Sequence, residues 1–441
     1  MAVAKPKTKR KPEPRPSKRV PRKPAPVRKD AAPAARPEPA KPPYRRVPLA
    51  VNTIGPHEIA AAEACLHGGH VTQGPKVAAL EAAVLNLLGN PSNRSVAMVN
   101  SGSSALLLAA AMLRQQCQRT GDHRNEVIIP AVCWSTTAAP FIQHGFRPLF
   151  VDVGPDYCLN PKLVDRAVTD RTVAIVTAHM LGNACDMDWA SKVATRYGLT
   201  LIEDCCEALG TAWRGRAVGS WGQAACFSTY FSHHMTTIEG GFIVYDSLFP
   251  EVKAWREHGW IREYPETLRR HVADGNKDLD PRWVFDKLGW NLRSTDLNAA
   301  IGLAQLPRLA SWKQERQRVA KWYDGHVKHA SLEPRIVHEK ADANPFSYPV
   351  MIRAGADYGR HELVAHLEAS GVETRQVMTG NITRHPWYMR HTGAYSVAAS
   401  GLAQADAVHE RGFLIPCRPG MSTDDLQHIA GAFESFFEKQ G

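Results

Sequence analysis

Residues 126–153 read EVIIPAVCWSTTAAPFIQHGFRPLFVDV. Val127–Ile129 is a short β-branched run closing on a proline, Ser135–Gln143 has the pattern of a short helix, and Pro148–Val153 is a second apolar run. Strand, helix and strand in such close succession predict parallel strands joined by a crossover helix. The same alternation extends outward. Val173–Ala178 reads as a strand, Asp186–Tyr197 as a helix, and Thr200–Asp204, Ala224–Tyr230 and Gly241–Tyr245 as further strands. A largely parallel sheet covered on both faces follows. From Ser294 the pattern turns helical, with Leu297, Ala300, Ile301 and Ala304 on one face. Pro307 should kink or restart that helix, which continues to about Val327 as a bridge to a smaller C-terminal α+β domain. The expected organisation is a tail over 1–46, a large domain over 47–305 and a small domain over 306–441.

Composition narrows the function classes. The 441 residues are 44% hydrophobic and 22% charged, enough for two or three ordinary globular domains. No apolar run is long enough to span a bilayer, and the basic opening has no apolar segment after it, so neither a membrane span nor a secretory signal is expected. Nine cysteines without a CxxC pair point to a reducing, cytoplasmic setting. The net charge of +11 is entirely a property of the tail: residues 1–46 hold 16 Lys or Arg against 3 Asp or Glu, and the remainder is slightly acidic. With 12 of the 31 prolines as well, that tail should be disordered. It is either a solvated extension or a loose contact for RNA, DNA or anionic lipid; the lack of interleaved aromatics weighs against nucleic acid.

Three segments carry chemistry. Asn100-Ser101-Gly102-Ser103-Ser104 opens a Leu/Ala-rich helix, where free backbone N–H groups and the helix dipole suit an anion, although the same serines also suit a cap. Leu201-Ile202-Glu203-Asp204-Cys205-Cys206-Glu207 places Asp204 at the C-terminal end of a buried strand, where open α/β sheets bind ligands. An acid there can hold a protonated ring nitrogen, or it can cap the next helix. Phe227–Gly241 contains Ser228, then His233-His234, then Gly240-Gly241. A single histidine acting as acid/base is favoured over a metal site, and Cys205 and Cys206 read as core.

Taken together, these segments resemble the DegT/DnrJ/EryC1/StrS aminotransferase family of nucleotide-sugar biosynthesis. The resemblance also rests on His70–Val77, Glu126–Pro130, Arg147–Val153, Ala178–Asn183 and Gly289–Asp296, in the right order. It implies the fold of type I pyridoxal-phosphate (PLP) enzymes, similar to aspartate aminotransferase, and a homodimer with active sites at the subunit interface. It assigns Gly102, Ser103 and Ser228 to the cofactor phosphate, with Asn291 reaching in from the partner subunit. It assigns Trp134 to the pyridine face, Asp204 to the pyridine nitrogen and Glu207 to the same loop. Read as ordinary residues, Trp134 is core, Glu207 is on an exposed helix and His179 is a hydrogen-bonded core histidine.

The chain departs from the family at one decisive place. Most members hold the cofactor covalently through a lysine; the matching position here is His233, and no lysine occurs between Lys192 and Lys253. The His-His pair, Glu239-Gly240-Gly241 and Gly380-Asn381-Ile382-Thr383-Arg384 resemble the branch of pyridoxamine-phosphate (PMP)-dependent sugar 3-dehydratases, including those acting on GDP-4-keto-6-deoxymannose. A sister branch carries a [2Fe–2S] cluster on cysteines downstream of the histidines. This chain has none between Cys226 and Cys417, so no cluster and no other metal is expected. The resemblance implies removal of the carbon-3 hydroxyl of a nucleotide-linked 4-keto-6-deoxyhexose, GDP-linked by preference. His233 is the implied acid/base, and glutamate restores the cofactor amine. The alternatives are a nucleotide-sugar aminotransferase, a catalytically silent family member, and a nucleic-acid-associated protein built around the tail.

Overall fold

Eight strands form the central sheet in the order Arg94–Val99, Gly241–Asp246, Ala224–Ser228, Thr200–Asp204, Thr172–Ala178, Glu126–Pro130, Arg147–Val151 and Ser396–Val397. All run parallel except Gly241–Asp246, which is antiparallel to both of its neighbours. This computed structural model describes residues 45–440, so the tail expected over 1–46 lies outside the described residues except for Arg45 and Arg46. The described chain belongs to one compact unit.

Period-2 alternation explains why the strands read as near-continuous apolar runs. Val127 and Ile129 join one hydrophobic cluster while Ile128 joins another, and Ala174 and Val176 are likewise separated from Ile175. Both faces are therefore covered. The helices Gly102–Thr120 and Ser135–Gln143 bury their apolar side chains in the first cluster, and Pro75–Leu87 and Met187–Tyr197 bury theirs in the second. Asp186 caps the last of these, accepting from the Trp189 N–H at 3.0 Å.

The predicted elements match in kind and differ at their ends. The strand expected to reach Tyr230 stops at Ser228, because Thr229 turns the chain through a 2.6 Å hydroxyl pair with Thr237. Arg94–Val99 was not anticipated. The helix expected from Ser294 starts at Asp296, is capped by Thr295, and is interrupted at Pro307 by a 3₁₀ turn over Leu306–Arg308. It resumes as Leu309–His326, whose Val319, Ala320 and Tyr323 enter a third hydrophobic cluster. That cluster lies under a four-stranded antiparallel sheet of Leu332–Glu333, Tyr348–Ile352, Gly412–Ile415 and Arg375–Gln376, with helices Arg360–Ala369 and Thr423–Phe437. No helix among the described residues is long and apolar enough to cross a membrane.

Asp152 ties this C-terminal part to the large sheet. Its carboxylate accepts from the Gln404 and Ala405 N–H groups, both at 2.8 Å, at the start of the helix Ala403–Arg411. Two charge-assisted bonds at a helix N-terminus are expected to contribute about 3 kcal/mol, so Asp152→Ala should lower the unfolding free energy in urea by that amount. A loss below about 1 kcal/mol would mean that solvent satisfies those donors equally well.

Candidate functional site

A cavity of about 280 Å³ opens at the C-terminal ends of the parallel strands, lined by Gly102, Ser103, Trp134, Asp204, Glu207, Ser228 and His233 among others. Seven of the eight residues singled out from the sequence thus meet in one place. The eighth, Asn291, is exposed and outside this lining; it accepts from Arg293 Nε at 3.3 Å. Its expected role in the site of a second copy stays a proposal.

The floor is Asp204, which is 7% exposed. Its Oδ2 accepts from the Thr137 hydroxyl at 2.7 Å and its Oδ1 from the Cys206 N–H at 3.1 Å. The carboxylate is thereby fixed as an acceptor facing the cavity. Sequence reading missed Thr137; a run of three hydroxyl residues, Ser135-Thr136-Thr137, at a helix start was the available signal.

One wall is the N-terminus of the helix Gly102–Thr120. Ser101 is the cap, accepting from the Ser104 N–H at 3.1 Å, while the Ser103 hydroxyl pairs with Thr136 at 2.8 Å. The capping reading and the anion reading are therefore compatible, because the cap satisfies only one of the free donors. Gly102 is required by close approach: a Cβ there would lie 2.8 Å from both Cys206 Sγ and Ser228 Cβ. Gly241 serves the same purpose from the antiparallel strand, where a Cβ would meet the Gly102 nitrogen at 2.7 Å. Two glycines thus bring the strand ends against the helix terminus and leave a backbone-lined cradle suited to a phosphate.

The histidines diverge. His234 is buried and pairs through Nε2 with the Asn344 carbonyl at 2.9 Å. His233 is half-buried beside Tyr230 and Phe346, and its Nδ1 has no protein partner. Burial, aided by the Arg316 and Arg375 guanidinium groups, pushes its imidazolium down to about 3, so the ring is a neutral base at pH 7. No lysine lines the cavity.

Trp134 is 45% exposed, which excludes the core reading; it forms the rim, with the Arg375 guanidinium over its ring at 5.7 Å. Arg375 is a lining residue that no local sequence signal announced. Glu207 is buried instead of lying on an exposed helix, and accepts from the Leu181 N–H at 3.0 Å.

His179 proves to be a structural histidine. Its Nδ1 accepts from the Cys185 N–H at 3.1 Å, which leaves Nε2 to donate to Glu203 at 3.3 Å. His179, Glu203 and Cys205 stand close enough to hold a metal ion. However, Glu203 already accepts from the Gly219, Trp221 and Gly222 N–H groups at 2.7–2.8 Å. With both histidine nitrogens and the carboxylate committed, the trio fits a hydrogen-bonded network better than a metal.

Burial raises the Glu207 carboxyl from 4.5 to about 7. The folded state therefore holds this proton more tightly than the unfolded chain. Its stabilisation is complete below pH 4.5 and is lost as pH rises through 7. Relative to Glu207→Gln, the cofactor-free wild type should lose roughly 3 kcal/mol across that window and nothing further above it. Paired urea titrations at pH 4.5, 6, 7 and 8 check this; a pH-independent difference would place the carboxyl in solvent.

The site can be compared with known proteins. Residues 52–434 match the DegT/DnrJ/EryC1/StrS aminotransferase family. The chain is 32% identical over 411 residues to the lipopolysaccharide biosynthesis protein RfbH of Salmonella typhimurium, covering 89% of this chain and 92% of that protein. It is 31% identical over 376 residues to the GDP-4-keto-6-deoxy-D-mannose 3-dehydratase of Yersinia pseudotuberculosis, covering 83% and 93%. Among solved structures, the E. coli GDP-4-keto-6-deoxy-D-mannose-3-dehydratase with bound hydrated PLP superposes with a TM-score of 0.79 at 28% identity, covering 88% of this chain and 100% of that one. The fold is accordingly that of the type I PLP-dependent enzymes, as the sequence implied.

Proposed function

Because the chain belongs to the DegT/DnrJ/EryC1/StrS aminotransferase family, we propose that it is a PLP/PMP-dependent enzyme that removes the carbon-3 hydroxyl of a nucleotide-linked 4-keto-6-deoxyhexose. We take the nucleotide to be GDP and glutamate to be the donor that restores the cofactor amine. The observation that carries this reading is a cavity at the strand ends that contains a neutral imidazole, His233, and no lysine. A cofactor there would be held without a covalent link, which closes the ordinary lysine-based transaldimination cycle and leaves His233 free for proton transfer.

The residues fit such a cofactor. The Gly102 and Ser103 N–H groups and the Ser228 hydroxyl, which line the cavity together, would receive its phosphate. Asp204, oriented by Thr137 and Cys206, would keep the pyridine nitrogen protonated. Trp134 would cover one ring face, and Asn291 would reach the phosphate of a second copy in a homodimer. When bound, the cofactor supplies an amine that captures the 4-keto carbon and a cationic ring that draws electrons. His233 would take a proton from the cofactor's methylene carbon and then deliver it to the oxygen leaving carbon 3. The low-dielectric setting that keeps His233 neutral also makes its protonated form a strong acid, which suits the second transfer.

We assign no iron–sulfur cluster, since no cysteine lies between Cys226 and Cys417. The nine free thiols fit the cytoplasm.

Incubation with PLP, glutamate and GDP-4-keto-6-deoxymannose should give a product lighter by one oxygen with no added nitrogen, read by mass spectrometry. The CDP and dTDP substrates run in parallel identify the nucleotide. An aminated product would replace the dehydratase reading with the aminotransferase one. His233→Asn should abolish turnover while PLP still binds with its wild-type affinity; retained turnover would remove His233 as the base.

A further inference from the structure

We propose that Glu257 is a positioning residue for the cofactor site of a second copy of the chain: through Arg293 it fixes the Asn291 amide with its N–H donors left free for a phosphate. The proposal rests on the reading above that Asn291 reaches the cofactor phosphate across a homodimer.

The link is a chain of two hydrogen bonds. Glu257, just after the helix Glu251–Arg256, is fully buried. Its Oε1 accepts from Arg293 Nη1 at 2.9 Å and from Arg262 Nη2, and its Oε2 has no partner among the described residues. Arg293 Nε in turn donates to Asn291 Oδ1 at 3.3 Å. The backbone of this segment is fastened separately. The Trp290, Leu292 and His258 N–H groups donate to the carbonyls of Trp255, Arg256 and Trp290 at 2.7–2.9 Å. The carboxylate is therefore not needed to hold the backbone; what it holds is the direction of a side chain.

Direction matters because a carboxamide has two unlike ends. Turned one way it offers N–H donors; flipped, it offers an oxygen that repels a phosphate. A guanidinium has donors only, so Arg293 captures the Asn291 oxygen and leaves Nδ2 free. Arg293 is itself long and partly exposed, and holding it in one rotamer costs entropy that the buried carboxylate offsets. A buried ion pair is poor evidence of added stability, because desolvation opposes the attraction; fixing one arrangement is the better account of this one.

The placement of Asn291 supplies the second copy. The Asn100 N–H donates to the Leu292 carbonyl at 2.9 Å and Val99 bridges to Arg293, so this segment runs beside the strand end that leads into the Gly102 cradle. Yet Asn291 is exposed and stands outside the cavity lining. A two-fold contact that brings this edge against itself would set the Asn291 of each copy beside the cradle of the other. Phe285 and Leu288, shortly before it, are exposed apolar side chains that such a contact would cover.

The test uses the full-length protein and PLP alone as probe, titrated spectroscopically, with the oligomeric state read by sedimentation. Asn291→Ala should raise the dissociation constant for PLP at least tenfold, as expected for a lost hydrogen bond to a charged group. Glu257→Gln should raise it about fivefold, and Glu257→Asp, which keeps the charge and shortens the reach, should fall between that and wild type. The double variant Glu257→Gln/Asn291→Ala should bind no more weakly than Asn291→Ala, because the carboxylate acts through the amide. A hybrid dimer of one Glu257→Gln chain and one Asp204→Ala chain, isolated by two affinity tags, should recover one site of wild-type affinity. That site pairs an intact Asp204 with the Asn291 of the other chain. Should Glu257→Gln fail to fold, Arg293→Gln breaks the same link and carries the same expectations.

Unchanged PLP affinity in Glu257→Gln would overturn the proposal alone. So would additive losses in the double variant, which would give the carboxylate a role in the fold only, or a hybrid with no tight site, which would place its effect within one chain. A wild type that is monomeric or binds no PLP would overturn the reading of the site itself, and this proposal with it.

Discussion

Two adjacent carboxylates at the end of one strand must be satisfied on opposite faces of the sheet, and much of the site follows from how that is done. Glu203 points to one face, where three backbone N–H groups from the Gly219–Gly222 turn and the His179 ring close around it. Asp204 points to the other face, where only Thr137 and one backbone N–H reach it. The first acid is fully enclosed and holds the framework. The second is left with unused acceptor capacity in a cavity. A one-residue slip of the strand would exchange the two and abolish both the anchor and the site.

The charge arrangement around that cavity is uneven by construction. Arg316 is buried and surrounded by carbonyl oxygens, with its guanidinium pushed down to about 10 by desolvation, and Arg375 stands at the rim. Burial, with a smaller contribution from their fields, keeps His233 unprotonated. The same burial pushes Glu207 toward the protonated form. A cavity that keeps an imidazole neutral, raises a buried carboxyl to about 7 and displays a guanidinium, unpaired among the described residues, beside backbone donors favours anions from outside.

How much of this was legible depended on whether the information was local. The parallel strands could be read because both faces of the sheet are apolar, so Val127–Ile129 and Val173–Ala178 are uninterrupted runs. Arg94–Val99 escaped because it starts on a charge and leads straight into a long Ala/Leu helix, so its own period is masked. Gly102, Ser103, Asp204, Ser228 and His233 lie in three short segments at strand ends or a helix start, and each segment announces itself. Thr137 and Arg375 do not. Thr137 matters only because its helix passes beneath Asp204, and Arg375 only because a two-residue strand of another sheet ends beside Trp134. Such contacts are properties of topology, which single-sequence periodicity does not carry. The exposed Trp134 shows the opposite case, in which composition alone predicts burial and the site keeps the ring at the surface.

On the proposed reading, a histidine at 233 where most of the family carries a lysine is more than the loss of a covalent tether. A lysine at that place would stand in a cavity lined by Arg375 and within the field of the buried Arg316, and would be driven toward its neutral form by both. A histidine is held neutral there by burial, its ring packing edge-on against Tyr230 and Phe346 while its buried Nδ1 has no protein partner. The two arginines, the aromatic walls and the neutral imidazole therefore act on one another, and a lysine placed at 233 without changing its surroundings would meet a site that disfavours its charged form.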